Sequence, residues 1–150
     1  GAILCFPSRW SLAEKLGRPL TAIHEPVPDY DADLARRVNR VFEALRPRRG
    51  LWRVNWLVHP SAEPHLPGKD SLQPDPEGLY LRTERQTLIR LPETGAVAFG
   101  IKTSICPLEA LTPEQAAALS RELRALEPRT IAYRSGGDIH ARALRALAAG

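Results

Sequence analysis

The sequence predicts an α+β fold, an antiparallel sheet flanked by helices, and three observations lead there. Two long alternating segments, Leu79–Leu91 and Val97–Ile105, are separated only by a short Pro-Glu-Thr-Gly turn, so they must pair antiparallel. Helical periodicity is concentrated at Leu34–Leu45 and in the last third of the chain instead of alternating strand by strand. No glycine-rich loop stands at a strand-to-helix junction, so a nucleotide-binding parallel sheet has no support.

In chain order, "GAILCFP" reads as a strand stopped by Pro7. Ser11 caps a short helix, "SLAEKLG", with Glu14 completing a capping box and Gly17 ending it. "RPLTAIHEPVPDY" is expected to be extended, because Pro19, Pro26 and Pro28 bias it away from helix. In "DADLARRVNRVFEALRP", Leu34, Val38, Val41, Phe42 and Leu45 recur at helical spacing, with acids at the start and basic residues at the end. "LWRVNWLVH" is a strand with Trp52, Val54, Trp56 and Val58 on one side and Arg53, Asn55, Leu57 and His59 on the other.

The segment "PSAEPHLPGKDSLQPDPEG" has no periodicity, and so long a loop is expected to be mobile or functional. The hairpin follows, with Gly95 available for a left-handed turn position. On its first strand Leu79, Leu81, Thr83, Thr87, Ile89 and Leu91 share a face with Arg85. Tyr80, Arg82, Glu84, Gln86 and Arg90 take the other face. Thr112, Pro113 and Gln115 open a helix through "TPEQAAALSRELRALEP". "TIAYRS" reads as a short strand or extension, and "GDIHARALRALAAG" as a last helix opening at Asp138.

The chain of 150 residues fits one domain, and its 43% hydrophobic and 25% charged content is that of a globular protein. No apolar run is long enough to span a bilayer and no signal pattern opens the chain, so a cytoplasmic protein is expected. Cys5 and Cys106 belong to no CxxC and are expected to be reduced core thiols. The net charge of +4 comes largely from arginine; the arginines read as scattered, without interleaved stacking aromatics, which argues against nucleic-acid binding.

Arg85 draws attention because a guanidinium on an apolar face needs a partner. That partner is either an acid such as Glu84, Glu93 or Glu109, or an anionic ligand. Arg53 and Asn55 pose the same choice between a wet pocket and a polar network. His24, His59, His65 and His140 form no HxxxH or HxH spacing, so zinc has no support. A lone histidine is more often structural than a ligand. One histidine does suffice for haem iron, with apolar walls for the macrocycle and arginines for its propionates. No GxSxG and no carboxylate pair suggests hydrolytic chemistry.

Three segments together, "CFPSRWSLAEKLGRPLTAIHEPVP", "WRVNW" and "LYLRTERQTLIRLPETGAVAFGIKTSICPL", resemble the haem-dependent oxidative N-demethylase family, that of the dimethylamine monooxygenase α-subunit. The most specific parts are the Ile23–Pro28 run and the Arg82–Leu88 run. The resemblance implies a single PAS-like haem-binding domain over residues 1–150, corresponding to the C-terminal part of a longer family member. It implies haem b, with electrons from NADPH arriving through flavin and a 2Fe–2S centre on a partner subunit. It implies O2 activation and loss of a methyl group from a small secondary amine as formaldehyde. Carried onto this sequence, it makes His24 the axial ligand, with His59 as runner-up. Arg82 and Arg85 become candidates for the propionates, and Arg53 and Asn55 candidates for the pocket. The alternatives are a non-catalytic PAS-like module that binds haem or another small ligand, and an inactive fragment.

Overall fold

Helix α1 (Leu12–Lys15) begins where Ser11 and Glu14 place it: the Ser11 N–H donates to Glu14 Oε2 at 3.1 Å, and Gly17 leaves the helix at φ 76°. The computed structural model describes residues 1–8, 10–24, 32–67, 75 and 78–149. Among these, helix α2 (Leu20–His24) precedes α3 (Ala32–Ala44), and strands β1 (Leu51–His59), β2 (Tyr80–Arg90) and β3 (Val97–Pro107) follow. A 3-10 turn (Leu108–Ala110) leads to α4 (Pro113–Arg124), α5 (Pro128–Arg134) and α6 (Gly137–Ala149). The strands form one antiparallel sheet in the order β1-β2-β3, and with the helices this is the α+β class.

Three local expectations are corrected. "GAILCFP" makes no strand; Ser8 only bridges Leu66, and the Leu66 N–H donates to Pro7 O at 3.0 Å. Leu20–His24 is helical, not extended, because Pro19 sits before the first helical residue, where a missing N–H costs nothing. The rest of that segment, with Pro26 and Pro28, lies outside the described residues. "TIAYRS" belongs to α5, where Pro128 at the helix start overrides the β-branched Thr130 and Ile131.

The chain divides into two compact units. The first comprises Gly1–Leu16, Trp56–Arg82 and Ser104–Gly150. Its core is Val58, Leu108, Leu119, Leu123 and Ala143, with Trp56, Leu79, Leu81 and Ile139 packed against it. Leu119 and Leu123, one helical turn apart on α4, meet the face that α6 presents through Ala143, whose small side chain permits close approach. The described part of the long loop is packed here too: Ser61 and Leu66 are buried. Cys5 is exposed and Cys106 half-buried, so Cys5 is not the core thiol expected of it.

The second unit comprises Gly17–Asn55 and Thr83–Thr103. Here Arg90 holds the end of α3: its guanidinium donates to Phe42 O (2.6 Å), Leu45 O (2.9 Å) and Gly95 O (2.6 Å). Phe42 and Leu45 carry carbonyls that the helix end leaves without intrahelical donors, so one side chain caps α3 and ties it to the hairpin turn. Gly95 takes φ 68°, as that turn requires.

Backbone bonds at both ends of the hairpin, Leu91 N to Ala96 O and Leu108 N to Leu79 O, set its register. Arg85 stands opposite Lys102, Gln86 opposite Ile101 and Leu88 opposite Phe99. The apolar rows of β2 and β3 therefore face opposite sides of the sheet, and neither side is purely polar.

Candidate functional site

Alternation along β1 and β2 places Trp52, Val54, Arg85, Ile89 and Leu91 on one face within the second unit. The Arg85 guanidinium lies 5.2 Å from the Trp52 ring centroid, a cation–π contact that confirms the shared face. This face is open: Trp52 is 64% exposed, Val54 49% and Ile89 43%. Arg85 is exposed as well, which removes the need for the buried acid expected to pair with it. Its charge stays solvated and the indole supplies the contact.

Arg53 and Asn55 point to the other side of the sheet. Arg53 Nε donates to Gln86 Oε1 at 2.9 Å, an exposed cross-strand pair, and Asn55 is half-buried. Of the wet pocket and the buried polar network that the sequence left open, the exposed Arg53–Gln86 pair speaks against the buried network. Arg53 and Arg85 thus serve opposite faces and cannot approach one ligand from the same side. His24 ends α2 in this same unit; the placement of its side chain lies outside what is described.

Arg82 and His59 belong to the first unit. Arg82 is fully buried, donating to Pro64 O at 3.0 Å and Phe6 O at 2.9 Å. Those bonds stitch the N-terminal segment to the loop after β1, beside the His65 Nδ1 contact with Cys5 O at 3.0 Å. A guanidinium so engaged is part of the fold. His59 is 5% exposed and lines a cavity of about 40 Å³ with Ser8, Leu57, Leu66, Arg134 and Ile139. That volume suits one or two waters, whereas pockets for drug-sized ligands run to about 300–1,000 Å³.

Haem can be tested against these surroundings. The His59 cavity is too small for a macrocycle, and Arg82 is buried and donates to the Phe6 and Pro64 carbonyls. The Trp52–Val54–Ile89 face does fit one side of a flat apolar ring, and Arg85 beside it, with Lys102 opposite on β3, fits a carboxylate. Sequence reasoning missed the groups that organise these surfaces. Arg134 donates to Trp56 O at 3.1 Å and stacks 4.8 Å over the Trp56 ring, and the Ser135 hydroxyl donates to Val58 O at 2.5 Å.

Taken as a class, this is an α+β protein whose sheet carries an open aromatic and apolar face with a cation stacked on it. The family model of the haem-dependent oxidative N-demethylase, alpha subunit-like proteins matches residues 1–144, and the chain belongs to that family. Haem dependence and a subunit character are thereby properties of its family. Among the described residues, no helix is long and apolar enough to cross a membrane.

Proposed function

We propose that this chain forms the haem-bearing part of an oxidative N-demethylase acting on a small secondary amine of the dimethylamine kind. The family match across residues 1–144 carries this reading, and the open Trp52 face with Arg85 supports it. In the net reaction O2, two electrons and two protons enter with the amine; one oxygen leaves in formaldehyde, the other in water, and the demethylated amine is released. Haem b, when bound, supplies the oxygen chemistry that no side chain offers. The electrons come from NADPH through flavin and a 2Fe–2S centre on a partner subunit. A PAS-like arrangement, with the ring held against the sheet, goes with this reading.

The residues of the chain have roles around that group. His24 would hold the iron through a neutral imidazole nitrogen. Trp52, Val54 and Ile89 keep water from one side of the ring. Arg85, stacked on Trp52, offers a rigid fork of donors to a propionate. Arg82 serves the fold. A second reading, a PAS-like module that binds haem or another small ligand without catalysis, is favoured by the openness of the same face.

Titration with haemin while recording the visible spectrum tests both. The expected result is a sharp Soret band at one haem per chain, lost in His24→Ala, retained in His59→Ala, and weakened in Arg85→Glu. A band that survives His24→Ala overturns the ligand assignment. Dimethylamine, O2 and a reductant then separate the readings: formaldehyde appears only if the loaded protein is the demethylase.

A further inference from the structure

The net charge of +4 belongs to one unit. The second unit holds eleven basic residues and seven acids, whereas the first holds ten of each. The two units hold nearly equal numbers of basic residues, and the positive excess falls in the second unit because it holds fewer acids. Within the second unit they concentrate between α3 and β1: Arg40, Arg46, Arg48, Arg49 and Arg53 face a single acid in that stretch, Glu43.

The turn at the centre of this stretch is built in an unusual way. The Arg49 N–H donates to Arg46 O at 3.2 Å, Pro47 takes the second position, and Arg48 takes the third at φ 65°. That third position belongs by preference to glycine or asparagine, because a side chain there is strained. Arg48 is the one non-glycine residue with positive φ among the described residues. Arg46, Arg48 and Arg49 are all exposed, and no described carboxylate pairs with them. Arg90 holds the turn from behind, through Leu45 O and the bridge between Pro47 and Arg90.

We propose that this arginine turn, flanked by Arg40 and Arg53, is the docking surface for an acidic protein. A fixed turn that displays arginine where glycine is easier spends backbone strain on surface charge, and its stabilising neighbours keep that charge in one place. Segregated charge of one sign steers an oppositely charged partner and makes association fast and salt-sensitive. A nucleic acid is the weaker fit, because Trp52, the exposed ring nearest the turn in sequence, already has Arg85 over one face. A partner that docks, delivers electrons and leaves is the kind such a surface suits, and that identification rests on the function proposed above.

The test is calorimetric titration with poly-L-glutamate, using the whole chain without haem. Wild type binds, and its affinity falls at least about tenfold between low and physiological salt. A variant with Arg46, Arg48 and Arg49 all changed to Glu loses about tenfold or more at low salt. Reversing Arg121, Arg124 and Arg145 in the other unit gives the same net charge and leaves affinity within about twofold. Arg48→Gly keeps the turn conformation while removing one charge, and lowers affinity a few-fold. Equal losses in both triple variants overturn the proposal, because affinity would then follow net charge and not this face. A thymidine oligonucleotide of equal charge binding ten times more tightly also overturns it. Haemin titration of the same samples fails or succeeds independently, so loss of the demethylase reading is not mistaken for loss of the surface.

Discussion

At the scale of single residues, two arginines contrast. Arg82 sits without solvent exposure and donates to the carbonyls of Phe6 and Pro64. Arg82→Leu removes both bonds and leaves two acceptors inside, so it should lower unfolding free energy by about 2–4 kcal/mol in a urea titration. Arg82→Lys should not restore the loss, because an ammonium cannot reproduce the fork that reaches two carbonyls. Arg48 makes the opposite prediction. Arg48→Gly relieves the strained φ and should change stability by less than about 1 kcal/mol, whereas Arg48→Val should lose more than about 1 kcal/mol. Tyr80 adds a pH dependence. Burial and its hydrogen bond to Asp75 Oδ2, 3.2 Å away, push its phenol above the ordinary tyrosine value. The folded state then holds that proton more tightly than the unfolded chain, so the contribution is complete below about pH 10 and is lost as pH rises through the raised value. Ultraviolet phenolate titration should show one late-ionising tyrosine that disappears in Tyr80→Phe.

Elements were legible where local rules and packing agree. Thr112 and Gln115 exchange bonds of 3.3 and 2.9 Å at the start of α4, the capping box read from four letters. Thr112→Ala should cost about 1 kcal/mol, measured by thermal unfolding. The sheet was legible from alternation. Its register was not, because the apolar rows of β2 and β3 each look like the inside of a one-sided sheet; only the paired backbone shows that they face opposite ways. Helix α5 was hidden by Thr130 and Ile131, whose β preference gives way to Pro128 and to Arg134 packing on Trp56. The tie from Arg90 to α3 could not be read at all, since it joins residues far apart in sequence. Arg90→Ala should free the Phe42 and Leu45 carbonyls and raise hydrogen-exchange rates in the last turn of α3 while leaving α4 protected.

For the whole molecule, the family was legible from three short segments, and the match over residues 1–144 establishes it. The site was legible only in part. The sequence singled out Arg82 and Arg85 from one run, yet burial divides them: one joins backbone segments in the first unit, the other stands in solvent in the second. Burial depends on which half of the sheet the helices cover, and no periodicity in a single strand contains that information. Charge was misread for the same reason, since a count along the chain does not show which residues fold together.

With Trp10 replaced by Phe, the two arginine–tryptophan stacks leave the chain two built-in optical probes. Trp52 is mostly in water beneath Arg85, while Trp56 packs against the core beneath Arg134. Their emission should therefore separate, Trp52 to the red and open to an aqueous quencher, Trp56 to the blue and shielded. A coloured ring seated on the sheet face quenches the red component first. The same chain, without any label, thus reports where on its surface a cofactor has landed.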